Sequence, residues 1–336
     1  MASQTAGLRG CPQPLWDEYD VAMLDLDGVV YIGAEAVPDA AEHLEAARAA
    51  GMRLGFVTNN AARPPSAVAE HLTMLGVRAS AGDVVTSAQA AARVLAEQLD
   101  AGAKVFVIGG AGLFAALEER GLHGVQSITE HPVAVVSGFH PELAWHTVIE
   151  GAILVREGLP WVASNTDRTV PTPFGAGPGN GVLVEAVARF ADRTPLVAGK
   201  PEPPLFRETL LRIGGTRPLV VGDRLDTDIE GARNVGYDSL LVMTGVTGLA
   251  ELVAARPKLR PTYVAATLGG LGVAQPLPER VDGNVALGGW RVSTPEGRLH
   301  VDGSGSPDDW WRVVAVAAWE YADATGRQVD VTGAAL

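Results

Sequence analysis

The stretch Val21-Ala-Met-Leu-Asp-Leu-Asp-Gly-Val-Val30 begins as an apolar run and ends in two carboxylates separated by one residue. Such a run is typical of a strand buried on both faces, the kind found in parallel sheets. Ligands of open α/β sheets bind outside the carboxyl ends of the strands, so Asp25 and Asp27 lie where chemistry is expected. Two neighbouring aspartates repel each other unless a cation lies between them. A strand end with two solvated aspartates is the alternative interpretation.

Three further polar groups follow apolar runs in the same way. Thr58, Asn59 and Asn60 supply a hydroxyl and two amides, which are neutral donors for an anion. Lys200 stands just before a proline-started helix, and Asp223 opens the acidic segment Asp223-Arg-Leu-Asp-Thr-Asp228. Taken singly, the segment Thr58–Asn60 is explained as a helix N-cap and Lys200 as a solvated charge.

The composition narrows the classes of partner. The 336 residues carry a formal net charge of −13, which argues against nucleic acid or an anionic membrane as the main partner. Cys11 is the only cysteine, so neither an intramolecular disulfide nor a cysteine metal cluster can form. The N-terminal residues lack a signal-peptide pattern and no apolar run is long enough to span a bilayer, so we expect a cytoplasmic protein.

Local patterns predict several irregular segments. Residues 1–15, with two prolines, are predicted to be a loose arm, and Gly109–Gly112 an ordinary tight turn rather than a phosphate cradle. The segment Phe174–Gly181 is too glycine-rich to be regular, and Gly269–Pro278 is predicted to be a linker. Alternating residues over 284–301 indicate a β-meander.

Together, the four strand-end groups resemble the four motifs of the haloacid dehalogenase (HAD) superfamily of phosphatases. The matching segments, in chain order, are Asp-Leu-Asp-Gly-Val, Val-Thr-Asn-Asn, Gly-Lys-Pro and Gly-Asp-Arg-Leu-Asp-Thr-Asp. One such segment is a weak signal, but four in this order are specific, and they cover roughly residues 18–265. The resemblance implies an α/β fold: a Rossmann-like core with a parallel sheet, an inserted α/β cap of the C2 type and a small α+β C-terminal module.

The resemblance also implies a mechanism. In it, Asp25 attacks phosphorus and forms an aspartyl-phosphate. Asp27 protonates the leaving alcohol and then takes a proton from the hydrolytic water, so its pKa must lie above the usual value near 4. A Mg²⁺ ion is implied, held by Asp25, the backbone carbonyl of Asp27 and Asp223, because magnesium prefers oxygen ligands.

Other residues acquire roles from the same resemblance. The groups implied to bind the transferring phosphoryl oxygens are Thr58, Asn59, Asn60 and Lys200. Asp228 and Arg224 are implied to lie beside the site, with Asp228 orienting Lys200 or a metal-bound water rather than binding the metal. Asp167 and Arg168, in a loop similar to the cap edge of one HAD subgroup, are expected to bind substrate.

Motif spacing predicts where the cap is inserted. About 140 residues separate Thr58 from Lys200, far more than one crossover needs. We therefore predict a HAD core of residues 1–84 and 196–268 with a cap of residues 85–195. This arrangement resembles the NagD-like subgroup, which contains p-nitrophenyl, phosphoglycolate and glycerol-phosphate phosphatases.

Residues 272–336 are predicted to be a separate module. They resemble a small acetyltransferase-like (GNAT-like) module in which the helix Trp310–Tyr321 packs on a small sheet. The glycine loop that would bind the pyrophosphate of acetyl-CoA is missing from this sequence. We expect the module to pack against the phosphatase body or a second subunit and to take no part in the chemistry.

The resemblance implies hydrolysis of a small phosphorylated metabolite, with glycerol 3-phosphate as the first substrate expected. Phosphoglycolate, pyridoxal phosphate, nucleotides and other sugar phosphates remain open, as does a homo-oligomeric state. A phosphotransferase or mutase would use the same motifs. A phospho-accepting signalling domain also uses aspartates, a threonine and a lysine, but it has no cap and no second aspartate two positions after the phosphorylated one.

Overall fold

The computed structural model describes residues 7–172 and 174–334. They form two compact units, one of residues 7–54, 75–77 and 215–334, the other of residues 55–74, 78–172 and 174–214. The predicted α/β class is confirmed. The second unit contains the predicted cap and further residues on both sides, so the cap boundaries stay a prediction. No described helix has both the length and the apolar character needed to cross a membrane.

The regular elements of the described residues are as follows. The helices are α1 (Leu15–Glu18), α2 (Ala40–Ala49), α3 (Pro65–Met74), α4 (Ser87–Ala96), α5 (Ala111–Glu119), α6 (Trp145–Arg156), α7 (Asn180–Ala191), α8 (Pro203–Ile213), α9 (Glu230–Val235), α10 (Leu249–Val253) and α11 (Pro307–Thr325). The strands are β1 (Val21–Leu24), β2 (Tyr31–Ile32), β3 (Glu35–Ala36), β4 (Arg53–Thr58), β5 (Val84–Thr86), β6 (Lys104–Ile108), β7 (His123–Val125), β8 (Ala134–Ser137), β9 (Trp161–Ala163), β10 (Thr169–Thr172), β11 (Gly175–Pro178), β12 (Leu196–Val197), β13 (Pro218–Gly222), β14 (Asp238–Val242), β15 (Tyr263–Ala265), β16 (Glu279–Val281), β17 (Asn284–Leu287), β18 (Trp290–Ser293) and β19 (His300–Gly303).

A parallel sheet organises the first unit. Its strands lie in the order β15-β14-β13-β1, and all four residues of β1 are buried, as the apolar run predicts. The register pairs Leu24 with Val221, so β1 and β13 end at the same edge. Asp25 directly follows β1 and Asp223 directly follows β13, which brings two of the predicted site residues to one place.

The second unit has a five-stranded parallel sheet in the order β12-β9-β8-β6-β7, and a parallel β4–β5 pair. The prediction of an irregular segment at Phe174–Gly181 is wrong in part, because Gly175–Pro178 forms β11 and pairs with β10. Ladder pairing uses main-chain groups, so glycine does not prevent it. The hydroxyl of Thr172 also donates to the carbonyl of Gly175 at 2.7 Å and closes the hairpin.

The glycines of Gly109–Gly112 serve close packing. The predicted turn is confined to Gly109 and Gly110, because α5 begins at Ala111 and includes Gly112. A Cβ on Gly112 would clash with the carbonyl oxygen of Ala61, and one on Gly110 would clash with the ring of His140. The approach of backbone and ring to these positions therefore accounts for two of the three glycines.

The predicted loose arm and the predicted linker are held together, so both predictions are wrong where these segments meet. Cys11 donates its N–H to the carbonyl of Gln275 at 2.9 Å and accepts from the N–H of Gln275 at 2.7 Å. Cys11 is buried, and so is Leu271 in the 3₁₀ turn Leu268–Gly272. Proline and glycine discourage helices and strands, but they do not prevent paired main-chain hydrogen bonds between two irregular segments.

The C-terminal residues form the predicted meander and helix. Strands β16 to β19 pair antiparallel in chain order, and the segment Thr294–Gly297 joins β18 to β19. Helix α11 packs Trp310 against the meander and Trp319 against the cluster of β14 and β15. The module therefore packs against the rest of its unit, as expected, and its likeness to an acetyltransferase module stays a prediction.

Candidate active site

Three carboxylates of the first unit converge at the carboxyl ends of β1 and β13. Asp25, Asp223 and Asp228 each present an oxygen within 4.8 Å of the other two, and both Asp223 and Asp228 are fully buried. Buried like charges at this spacing repel each other strongly unless a cation lies among them. An all-oxygen set of carboxylates suits Mg²⁺, so the residues present fit the predicted metal.

A π-helical turn brings Asp228 into this cluster. The segment Leu225–Ile229 forms a π-helical turn, and Asp228 Oδ2 accepts the N–H of Arg224 at 3.2 Å. Gly222 lies against the Asp228 side chain, where any Cβ would clash with it. The structure thus places the Asp228 carboxylate among the potential metal ligands, whereas the sequence predicted it only beside them.

The Asp223 carboxylate accepts a backbone N–H and packs closely against two glycines. Its Oδ2 accepts the N–H of Val246 at 2.6 Å. A Cβ on Gly28 or on Gly245 would clash with the same carboxylate, and Gly28 also adopts a φ of +85°, which favours glycine. Sequence reasoning missed Gly245 and Val246, although their position in the loop after β14 is a signal for them.

Asp27 carries the pKa shift that its predicted role requires. Loss of solvation, followed by the negative charge of Asp25, raises the pKa of the Asp27 carboxyl, and a hydrogen bond from the backbone of Gly33 opposes the shift in part. Much of Asp27 remains accessible to solvent. A carboxyl that keeps its proton to higher pH and faces solvent suits a general acid that later activates water.

In the second unit, the threonine and asparagines follow β4 as predicted. Thr58 is nearly buried, and its hydroxyl oxygen accepts the N–H of Asn60 at 3.1 Å, which leaves the hydroxyl proton able to donate. The Asn60 amide oxygen accepts the N–H of Ala62 at 2.8 Å, so the side chain turns towards its own loop. Asn59 instead bonds to Lys200, which is 3% exposed.

The two predicted cap residues differ in environment. Asp167 accepts a hydrogen bond from Asn59 Nδ2 at 3.1 Å. Arg168 is largely exposed and forms an ion pair with Glu185 at 2.8 Å.

Arg224, predicted beside the site, forms a bidentate pair with the exposed Asp226 at 2.8 and 3.0 Å.

Comparison with known proteins gives consistent results. The family model described as haloacid dehalogenase-like hydrolase matches residues 22–123, and a second HAD hydrolase-like model matches residues 197–271. The chain is 40% identical to a D-glycerol 3-phosphate phosphatase of Mycobacterium tuberculosis over 318 residues, which is 90% of this chain and 86% of the relative. It is 34% identical to an acid sugar phosphatase of Staphylococcus aureus over 248 residues, 73% of this chain and 94% of the relative.

Solved structures agree with these matches. A crystal structure of a glycerol phosphate phosphatase from Mycobacterium tuberculosis in complex with magnesium has a TM-score of 0.83 and 39% identity, covering 92% of each chain. A p-nitrophenyl phosphatase from Archaeoglobus fulgidus has a TM-score of 0.70 and 28% identity, covering 75% of this chain and 98% of that one. The second alignment spans most of the other protein but only three quarters of this chain.

Proposed function

The chain belongs to the haloacid dehalogenase-like hydrolase family, and from that premise we propose that it is a Mg²⁺-dependent phosphatase of glycerol 3-phosphate. The observation that carries the proposal is the convergence of Asp25, Asp223 and Asp228 at the carboxyl ends of two parallel strands. It is supported by 40% identity over 90% of the chain to a protein named for that activity. We also propose a cytoplasmic location, with which the free thiol of Cys11 is compatible.

In the proposed reaction, two aspartates divide the chemistry. Asp25 attacks phosphorus as the P–O bond to glycerol breaks, which leaves phosphate on its carboxylate. Asp27 gives its proton to the departing oxygen and then takes one from the water that attacks the aspartyl-phosphate. That second step releases inorganic phosphate and restores both residues.

The remaining site residues are proposed to bind the metal ion and the phosphoryl oxygens. Asp25, Asp223 and the backbone carbonyl of Asp27 would hold Mg²⁺, and Asp228 lies close enough to take part. A bound Mg²⁺ offsets the repulsion between a carboxylate nucleophile and a phosphate dianion. We propose that Thr58 and Lys200 bind the phosphoryl oxygens, where negative charge has to be stabilised during transfer.

Metal removal tests the proposal. Protein treated with EDTA should lose about 100-fold or more of its phosphate release from glycerol 3-phosphate, and added Mg²⁺ should restore it. Ca²⁺ should inhibit, because its looser coordination misplaces nucleophile and phosphate. Mg²⁺ should also raise the melting temperature of the wild type and do so less in Asp223→Asn, because binding to the native state stabilises it. Full activity in metal-free buffer would contradict the role of the carboxylate cluster.

A substrate screen decides the specificity. Phosphate release should be highest for glycerol 3-phosphate when it is compared with phosphoglycolate, pyridoxal phosphate, nucleotides and sugar phosphates. Product analysis in the presence of excess alcohols separates hydrolysis from phosphoryl transfer, because a transferase would yield new phosphate esters. A higher kcat/KM for another of these esters would reassign the substrate and leave the reaction type unchanged.

The pH dependence should differ between two substrates because of Asp27. The raised pKa of Asp27 keeps its carboxyl protonated to higher pH, and kcat for glycerol 3-phosphate should fall as pH rises through that pKa. The p-nitrophenolate leaving group needs little protonation, so kcat for p-nitrophenyl phosphate should fall much less over the same range. Asp27→Asn should lower kcat for glycerol 3-phosphate by about 10²- to 10⁴-fold and affect p-nitrophenyl phosphate less. Identical losses on both substrates would remove the acid role from Asp27.

A further inference from the structure

The Asn59 side chain is bound at two points to the main chain of Lys200. Asn59 Oδ1 accepts the N–H of Lys200 at 2.7 Å, and Asn59 Nδ2 donates to the Lys200 carbonyl at 3.0 Å. The side-chain amide therefore pairs with one residue as a peptide group pairs in a β-ladder. Two bonds to the same residue restrict its backbone, from which the lysine side chain extends.

The same amide reaches the loop that contains Asp167. Its nitrogen also donates to Asp167 Oδ1 at 3.1 Å. The same loop makes a second hydrogen bond to Asn59, in which Asn165 Nδ2 donates to the Asn59 carbonyl at 2.7 Å. The Asn165 amide oxygen in turn accepts the N–H of Asp167 at 3.1 Å. One residue thus joins two segments that lie more than a hundred positions away along the chain.

The hydrogen-bonding capacity of the amide is used by these partners. An asparagine side chain has two N–H donors, and both are directed to Lys200 and Asp167. Only acceptor capacity remains on Oδ1, which cannot bind the oxygens of a phosphate dianion. The predicted contact of the Asn59 side chain with the phosphoryl group would require one of these bonds to break.

Neighbouring groups fix Asn59 itself. Ser87 donates its hydroxyl to the Asn59 carbonyl at 2.6 Å. Gly199 lies so close that a Cβ there would be 2.6 Å from Asn59 Oδ1 and 2.5 Å from the carbonyl of Ser164. A glycine directly before Lys200 is therefore what allows the asparagine to approach the lysine backbone.

We propose that Asn59 is a positioning residue that holds the backbone of Lys200 and the carboxylate of Asp167 in one geometry. The inference rests on the proposed function, because it takes Lys200 as the phosphoryl-binding cation. Asn59 acts through these two residues and does not bind the phosphoryl group through its side chain. Only an amide serves here, since a carboxylate could accept from Lys200 N–H but would repel Asp167 and could not donate to the Lys200 carbonyl.

A double-mutant cycle tests the link to Lys200. With p-nitrophenyl phosphate, Asn59→Ala should lower kcat/KM by about 100-fold, the scale of loss for a misplaced group. The double variant Asn59→Ala/Lys200→Ala should stay within about threefold of Lys200→Ala alone, because the asparagine acts through the lysine. Losses that multiply, or an Asn59→Ala variant within about threefold of wild type, would overturn the proposal.

A charge exchange tests the link to Asp167. Asn59→Asp should impair glycerol 3-phosphate hydrolysis, because two carboxylates then face each other. Adding Asp167→Asn restores one amide and one carboxylate at this pair and should recover part of the kcat/KM. No recovery would remove Asp167 from the proposal. Asn284→Ala is the matched control, since its amide makes a long local bond to the Asp282 carbonyl at 3.5 Å, and it should retain wild-type kinetics.

Amide hydrogen exchange measures the protection of the Lys200 N–H by Asn59 and does not depend on activity. In Asn59→Ala the Lys200 N–H loses its acceptor, and its exchange should accelerate about tenfold or more while exchange in β13 and β14 stays unchanged. Unchanged exchange at Lys200 would overturn the positioning role even if the enzyme is a phosphatase. Wild-type protein that hydrolyses no phosphomonoester would instead overturn the proposed function. The exchange result would then still test the hydrogen bond between Asn59 and the Lys200 N–H.

Discussion

Asp25→Asn is expected to abolish turnover, with a loss of about 10⁴-fold or more in kcat, the scale seen when a nucleophile is removed. An amide is a poor nucleophile at phosphorus, and the neutral side chain also weakens the oxygen cluster formed with Asp223 and Asp228. The measurement is phosphate release from glycerol 3-phosphate and from p-nitrophenyl phosphate, both at saturating Mg²⁺. The loss should be similar on the two substrates, because both require attack on phosphorus.

The fold of this variant should remain intact. Replacing one of three clustered carboxylates removes repulsion, so the metal-free melting temperature should stay the same or rise. Asp282→Asn is a matched control: Asp282 is exposed, lies outside the site and has a φ of +50°, which asparagine tolerates. It should keep wild-type kcat. An Asp25→Asn protein with wild-type circular dichroism and appreciable phosphate release would exclude Asp25 as the nucleophile.

Trp319→Ala should have the largest effect on stability, lowering the free energy of unfolding by about 3–5 kcal/mol. Trp319 is 2% exposed and belongs to a cluster that includes Leu241 of β14 and Val264 of β15. Its indole N–H donates to the carbonyl of Leu252 at 2.8 Å. The substitution therefore leaves a cavity at the surface where α11 covers the sheet and removes one of the hydrogen bonds to the Leu252 carbonyl.

Urea unfolding followed by circular dichroism measures this loss. Trp145→Ala is the control, because its side chain is 70% exposed and its removal should change the free energy of unfolding by no more than about 0.5 kcal/mol. A small effect of Trp319→Ala, comparable to that of the control, would mean that α11 contributes little to the first unit. The C-terminal residues would then be a detachable module, contrary to the packing that the sequence predicts.

The amino-acid sequence by itself determined the class of fold and supplied the candidate groups of the site. Buried parallel strands leave uninterrupted apolar runs, so β1 and β13 could be recognised locally, and the residues after them followed as site candidates. Asp25 and Asp223 became candidates in this way, whereas the roles expected of Asp27, Thr58 and Lys200 came from the resemblance to a known family. The irregular character of residues 269–278 was also partly readable, because proline and glycine act on the backbone at their own position.

The tertiary structure alone decided which partner each group has. The approach of Gly245 and Val246 to Asp223, the bonds of Asn59 to Lys200 and Asp167, and the pairing of Cys11 with Gln275 join residues far apart in the chain. Local propensity carries no information on such pairs, because they form only when separate segments pack and their buried polar groups must find partners. For the same reason α11 could be predicted as a helix, but its second buried face, with Trp319 against the sheet, could not.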